Sequence, residues 1–334
     1  MENKLTSGQV TVLIPTYKRP EKLKRAVESI QNQSYQDFVI VISDNASGDE
    51  TENIVYSLIK GDTRIKYFKQ SLNIGMNPNF NFLVSKVDTP FFCLLTDDDY
   101  YLPNFLEDSI SFFNKYPQIM FSVMSAPEIN EAGDLLNDQL SKWPREGYFE
   151  KANSDIMKMV IDGNHPILTA CLFRSDIIQD FIFDPKIGAS SDVPLLYELL
   201  ANYPFAINKE KGLYFTKHED NLSAKNFSLL EEYNTKVKIW NKLLECDHIN
   251  LKIKKVFLDF KEKALFKYYL KSIALKDKEL SDSIINELTK DSNTKNNIII
   301  SILVLFNKLG IGRSFLSISI LFYWNTHKLW KKYF

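Results

Sequence analysis

Short apolar runs alternate with helix-patterned segments through the first hundred residues, and this alternation constrains the fold most. Val10–Thr16 (VTVLIPT), residues 38–47 (FVIVISDNAS), residues 64–70 (RIKYFKQ) and the apolar run 91–95 have strand length and strand composition. Between them, residues 19–33 place Pro20 near a helix start and space Leu23, Ala26, Val27 and Ile30 on one face. Residues 49–61 read as a helix closed by Gly61, and residues 77–87 as a third. Strand–helix alternation predicts an α/β class with a mostly parallel, doubly wound sheet.

Asp97, Asp98 and Asp99 stand where the run 91–95 must end, because Pro103 and a helix pattern follow. The carboxyl ends of parallel strands are where an open α/β sheet places ligand chemistry. Adjacent like charges repel unless solvated or neutralised. The run therefore reads either as a solvated acidic turn or as the holder of a hard cation such as Mg²⁺ or Mn²⁺.

Residues 119–129 and 167–178 predict further strands, the second followed by a short helix. Residues 192–203 predict a helix begun by Asp192, and residues 205–223 a hairpin turning near 209–212. From about residue 228 the pattern is helical only, with long, basic, amphipathic segments. Residues 298–306 and 315–324 are apolar but interrupted by Lys308, Gly310, Gly312 and Arg313. Each is shorter than the ~20 residues of a membrane-spanning helix. With Trp324, Trp330 and Tyr333 beside lysines, this tail is expected to lie in a membrane interface, or to pack as an ordinary helical pair.

A 45% hydrophobic content in 334 residues supports one large domain or two. A net charge of -1 leaves no basic field for nucleic acid, and no glycine-rich phosphate cradle of either common type occurs. Cys93, Cys171 and Cys246 lack zinc or disulfide spacing, which suits a reducing cytosol. No signal peptide is expected, since the first apolar run stops at Pro15.

In order and spacing, IPTYKRPEKLKRAVESI, SDNASGDET, NIGMNPNFNFLV and LLTDDDYYLPNFL resemble the inverting, family 2 type glycosyltransferases of the GT-A fold. The resemblance covers roughly residues 10–223. It implies a Rossmann-like GT-A catalytic domain over residues 1–225 and a C-terminal helical region over 226–334. It places Pro15, Thr16, Tyr17 and Arg19 at the nucleotide base and ribose, and Asp44 at a pyrimidine N–H. Asn73 and Gly75 match the family's N-x-G turn. The TDDD run matches the D-x-D motif, with Thr96 in the position of its first Asp, so Asp97 and Asp98 contact ribose and metal. Asp98, Asp99 and His218 would hold Mn²⁺ or Mg²⁺; His218 lies in a late H-x-x-N-x-S segment. Asp192 matches the general base, kept ionised by its helix N-terminus; the plain alternative is a helix cap. The family's Arg after the N-x-G turn is missing, and Asn77, Asn79 and Asn81, or Lys18 and Arg19, are expected to make those nucleotide contacts instead.

The implied activity is metal-assisted, inverting transfer from a nucleotide sugar, UDP- or dTDP-linked, to a glycan on a lipid carrier. The implied setting is cell-surface polysaccharide assembly at the cytoplasmic face of the membrane. Two alternatives stay open. A nucleotidyltransferase would share the carboxylates and Mg²⁺ but normally carries a glycine-rich loop, absent from IPTYKRPEK. A non-catalytic partner in a glycan assembly complex would need neither Asp98 nor Asp192.

Overall fold

The computed structural model describes residues 8–218, 228–275 and 277–290. Contacts divide the chain into two compact units, residues 1–226 with 241–254 and residues 227–240 with 255–334.

The first unit opens with β1 (Val10–Thr16), α1 (Pro20–Gln31), β2 (Phe38–Asp44), α2 (Thr51–Gly61), β3 (Ile65–Lys69), α3 (Met76–Val84) and β4 (Phe91–Leu94). β2 pairs in parallel with β1 and β3, and β1 with β4, giving the order β3-β2-β1-β4. Every residue of β1 and β2 is buried, as strands covered on both faces must be. α1 buries Leu23, Ala26, Val27 and Ile30, the stripe that its sequence spacing predicts.

After β4 come β5 (Tyr100–Tyr101), α4 (Phe105–Lys115), β6 (Phe121–Ser125), β7 (Glu128–Asn130), β8 (Leu135–Asn137), β9 (Gly147–Phe149), α5 (Ser154–Met159), β10 (Cys171–Arg174), α6 (Asp192–Asn202), β11 (Phe205–Lys211) and β12 (Leu213–Lys217). The main sheet continues β4-β10-β6-β11-β9 with mixed directions: β10 is antiparallel to both neighbours, and β11 is parallel to β6. A small second sheet has the order β5-β12-β7-β8.

Two expectations are corrected. The strand read over 119–129 is two strands in two sheets, parted at Ala126 and Pro127. The segment 205–217 is no hairpin: β11 pairs with β6 and β9, whereas β12 pairs with β5 and β7. The chain changes sheet at Gly212. A Cβ there would lie 2.7 Å from Met124 Sδ and 2.8 Å from Phe105 Cδ2, so only glycine passes through this crossing unstrained.

In the second unit, Tyr233, Leu265, Tyr268, Tyr269, Leu280, Ile284 and Ile285 form a core shared by α7 (Leu229–Glu245), α8 (Leu251–Ala274) and α9 (Lys278–Lys290). A buried ion pair, Lys261 Nζ to Glu287 Oε1 at 2.9 Å, ties α8 to α9. No described helix is long and apolar enough to cross a membrane. The apolar tail of residues 298–334 lies outside the described residues.

Candidate functional site

Parallel register brings the ends of β1 and β4 to one edge of the sheet. There Thr16 Oγ1 donates to Asp97 Oδ2 at 2.8 Å. Arg19, the residue before α1, reaches back with Nη1 to Asp97 Oδ1 at 3.2 Å and Asp98 Oδ2 at 2.9 Å. His218, buried at the end of β12, sets Nε2 3.0 Å from the same Asp98 oxygen. Asp99 turns elsewhere: it accepts from Thr96 Oγ1 at 2.9 Å, Thr169 Oγ1 at 3.3 Å and the Thr216 N–H at 2.9 Å.

Three adjacent buried carboxylates cannot all stay ionised at ordinary pKa values. Burial and the neighbouring charge of Asp98 push Asp97 up to about 6, with Arg19 and Thr16 opposing. The same two causes push Asp99 up to about 8. Burial would raise Asp98 as well, but the His218 hydrogen bond and the Arg19 charge outweigh it and hold Asp98 below the usual range. Of the three carboxyls, Asp98 is thus the one that holds its charge to the lowest pH.

Sequence reading missed Arg25. Its Nη2 donates to the Asp98 carbonyl at 2.6 Å and to Thr216 Oγ1 at 3.3 Å, and its guanidinium lies 4.7 Å from the Tyr100 ring centroid. Arg25 sits beside the buried stripe of α1, where spacing gives no sign of a partner beyond the helix. Thr169 and Thr216 were missed too, because their partner Asp99 lies 70 and 117 positions away in the chain.

A second group adjoins the first, since Thr16 is in register with Asp44. Asp44 Oδ1 accepts from the Ser47 N–H at 2.9 Å and the Ser47 hydroxyl at 2.6 Å, and Oδ2 accepts from Tyr67 at 2.7 Å. Ser47 Oγ in turn accepts from the Lys18 N–H at 2.8 Å. Lys18 and Ala46 have φ of 56° and 61°, so the loops after β1 and β2 are both held in left-handed turns around Ser47. Asn45, also missed, accepts from the Ile74 N–H at 2.9 Å and donates to Asn73 Oδ1 at 3.1 Å and the Gly75 carbonyl at 3.2 Å. Gly75 has φ of 89°, which suits glycine at this turn. Tyr17 is exposed on the rim, its phenol lowered by hydrogen bonds with Asn73 and Lys18. Pro15 is buried within β1 opposite Ser43.

The asparagines of α3 do not face this group. Asn79 exchanges hydrogen bonds with Ser43, at 2.6 Å and 3.2 Å. Asn81 does so with Phe183, both at 2.9 Å. Asn77 Nδ2 donates to the carbonyls of Asp184 at 3.0 Å and Gly188 at 2.9 Å, and Oδ1 accepts from Ser191 at 2.9 Å. These amides brace the fold, which corrects the expectation that they contact a nucleotide. Arg19 is turned to the aspartates.

Asp192 is the first residue of α6, with Ser191 in the cap position. The Ser191 hydroxyl goes to Asn77 and makes no cap bond. Asp192 is half-buried. Burial raises its carboxyl, against the pull of His165 and of the first helix N–H groups. Burial therefore outweighs the helix N-terminus, which the sequence reading had taken to decide the ionisation.

The model of Glycosyl transferase family 2 matches residues 11–173, a stretch that contains β1 from its second residue, β2 through β4, Asp97, Asp98 and Asp99, and most of β10. The chain is a family 2 glycosyltransferase. This glycosyltransferase is 28% identical over 257 residues to an uncharacterized glycosyltransferase of Methanocaldococcus jannaschii, covering 75% of this chain and 86% of that one. It is 27% identical over 217 residues to the GalNAc(5)-diNAcBac-PP-undecaprenol beta-1,3-glucosyltransferase of Campylobacter jejuni, covering 64% of this chain and 67% of that one. Among solved structures, S. aureus TarS 1-349 in complex with UDP-GlcNAc superposes with a TM-score of 0.63 at 20% identity, over 84% of this chain and 79% of that one. The mannosyltransferase PcManGT of Pyrobaculum calidifontis, in complex with GDP-Man and Mn²⁺, gives a TM-score of 0.55 at 11% identity, over 92% and 88%. These likenesses establish the GT-A fold of the glycosyltransferase.

A divalent cation is the group this fold family implies. Among the described residues, no three His, Cys, Asp or Glu side chains are arranged to hold one. The donor set of Asp98 and His218 nevertheless fits a hard cation in an incomplete protein shell. The two meet in a 3.0 Å hydrogen bond, and a cation held by them would replace that bond and the Arg19 contact on the same oxygen, taking its other ligands from phosphate oxygens.

Proposed function

We propose that this glycosyltransferase moves a sugar from a UDP-linked donor to a glycan or lipid-linked acceptor, with inversion and with a divalent metal. The observation that carries the reading is the corner where β4 ends. A single low-pKa carboxylate, Asp98, stands there between Arg19 and His218, and Asp97 stands between Arg19 and Thr16. That corner suits a nucleotide diphosphate: Pro15, Thr16, Tyr17 and Arg19 line the base and ribose, Asp44 meets a pyrimidine N–H, and the turn of Asn73 and Gly75 closes over the nucleotide. UDP is favoured by the TarS complex with UDP-GlcNAc, and a lipid-linked acceptor by the undecaprenol-linked substrate in the Campylobacter relative's name.

Asp98 and His218 would hold Mn²⁺ or Mg²⁺, which when bound supplies positive charge to the departing diphosphate. Asp99 was expected in that shell. Its oxygens already accept from Thr96, Thr169 and the Thr216 N–H, so in this reading it stands beside the shell and fixes the turn. In the transfer, the acceptor hydroxyl forms the new bond to the anomeric carbon while the bond to the diphosphate oxygen breaks. Asp192 takes the hydroxyl proton. A carboxylate raised by burial is a stronger base than a solvated one.

We place this work in residues 1–225. Peripheral contact of the chain's C-terminal region with the inner face of the cell membrane, in cell-surface polysaccharide assembly, completes the proposal. The test is a panel of nucleotide sugars with the purified chain, read as nucleoside diphosphate release with and without Mn²⁺. Release from a UDP-sugar that depends on the metal supports the reading; no release from any donor refutes it.

A further inference from the structure

We propose that Asn77 is a positioning residue for Asp192, making the start of α3 a tie between the donor turn and the acceptor base. The inference rests on Asp192 being the base. Asn77 lies two residues after Gly75 and is 4% exposed. Its one amide group holds three points along residues 184–191: the Asp184 carbonyl at 3.0 Å, the Gly188 carbonyl at 2.9 Å and the Ser191 hydroxyl at 2.9 Å. The last point is the residue before Asp192. One turn along α3, Asn81 grips Phe183 through both its N–H and its carbonyl.

The Asn77 contacts matter most at residues 188–190, because earlier in the segment Ile187 is buried and Asp184 pairs with Lys242 at 3.6 Å. Gly188 has φ of +80° with nothing near its absent Cβ, and the short turn of residues 188–190 buries no side chain. On the other side of Asn77, Asn45 clasps the turn of Asn73 to Gly75. A rigid helix start therefore joins the two loops, and the spacing between donor and base follows from it. A displacement of about 1 Å at a reacting group costs on the order of 100-fold in rate.

The experiment uses the full chain with Asn77→Asp, Ser191→Ala, Ser191→Thr and Asp192→Asn, with UDP-GlcNAc as donor probe. Asn77→Asp keeps the shape but turns an oxygen toward two carbonyls. The expected kcat falls roughly 100-fold in Asn77→Asp and roughly 10-fold in Ser191→Ala. UDP affinity by calorimetry stays within about two-fold in both, and Ser191→Thr restores kcat. The acid limb of kcat moves to lower pH in Ser191→Ala, which adds no charge, because a loosened Asp192 is better solvated; a purely structural role would leave that limb in place. Hydrogen exchange over residues 184–192 decides the matter whatever the true donor, and it should quicken in Asn77→Asp and Ser191→Ala. Unchanged exchange, or UDP affinity falling in step with kcat, overturns the proposal. If Asp192→Asn loses turnover while Asn77→Asp and Ser191→Ala keep it, only the positioning role fails; if Asp192→Asn keeps turnover, the base assignment fails first.

Discussion

The two halves of the main sheet place their functional groups by different means. In the parallel half, β3-β2-β1-β4, the residues proposed for the donor follow directly from strand register. Thr16, Asp44 and Asp97 emerge at one edge because parallel strands end together. In the mixed half, β10-β6-β11-β9, Asp192 reaches its place through a loop braced by amides of α3, an element packed on the other half. Backbone ladders set the first arrangement, and a few side-chain hydrogen bonds set the second. Substitutions in the first half should therefore alter chemistry while the fold persists. Substitutions in the second should act through placement or stability.

The largest effect sharpening this contrast is expected at Asp98. Asp98→Asn should cut nucleoside diphosphate release by about 10³-fold, the scale of losing a group that stabilises departing charge. Its thermal midpoint should fall only modestly, since Asn keeps the shape but loses the charge contacts with Arg19 and His218, and a variant that unfolds outright would blur the contrast. Next, Asp192→Asn should lower kcat by about 10²-fold, as removal of a general base does. Calorimetric UDP binding should persist in this variant; a loss of UDP affinity would put Asp192 on the donor side.

Gly212→Ala tests the sheet crossing. The added methyl would overlap Met124 and Phe105, so unfolding in urea should show a loss of about 2 kcal/mol. An unchanged midpoint would mean the crossing is looser than its contacts imply. The smallest effect is expected from Asp99→Asn, followed as thermal midpoint against pH in the presence of a chelator. The folded chain keeps the Asp99 proton up to about pH 8, whereas an unfolded carboxyl releases it near ~4. Over that window the folded state binds more protons, so this group stabilises the fold below it and the contribution is lost as pH rises through it. The substitution should flatten that decline. An undiminished slope between pH 5 and 8 would mean Asp99 is ionised in the fold.

The parallel half was legible from the amino-acid sequence nearly residue by residue. β1 spans the predicted residues, and α1 buries the predicted stripe, because a strand covered on both faces and an amphipathic helix each leave a local periodic trace. The second half was less legible. The hairpin expected over 205–223 is two strands in separate sheets, and nothing local in KEKGLYF reports that Gly212 must pass beside Met124. At the candidate site, the aspartate run and Asp44 were visible as polar residues closing apolar runs. Arg25 and Asn45 were not, since their partners lie 73 and about 29 positions away in the chain.

The sequence alone thus determined which strands exist in the first half, where they end, and that three carboxylates stand at one of those ends. Only the tertiary structure decided how those carboxylates differ. Asp98 meets Arg19 and His218 while Asp99 is buried among threonines, and a carboxylate's charge is set by the surroundings that folding brings to it. Tertiary structure likewise decided that Asn77 braces the loop before Asp192. A side-chain amide bonds whatever the fold sets beside it, and across more than a hundred intervening residues no local pattern records that choice.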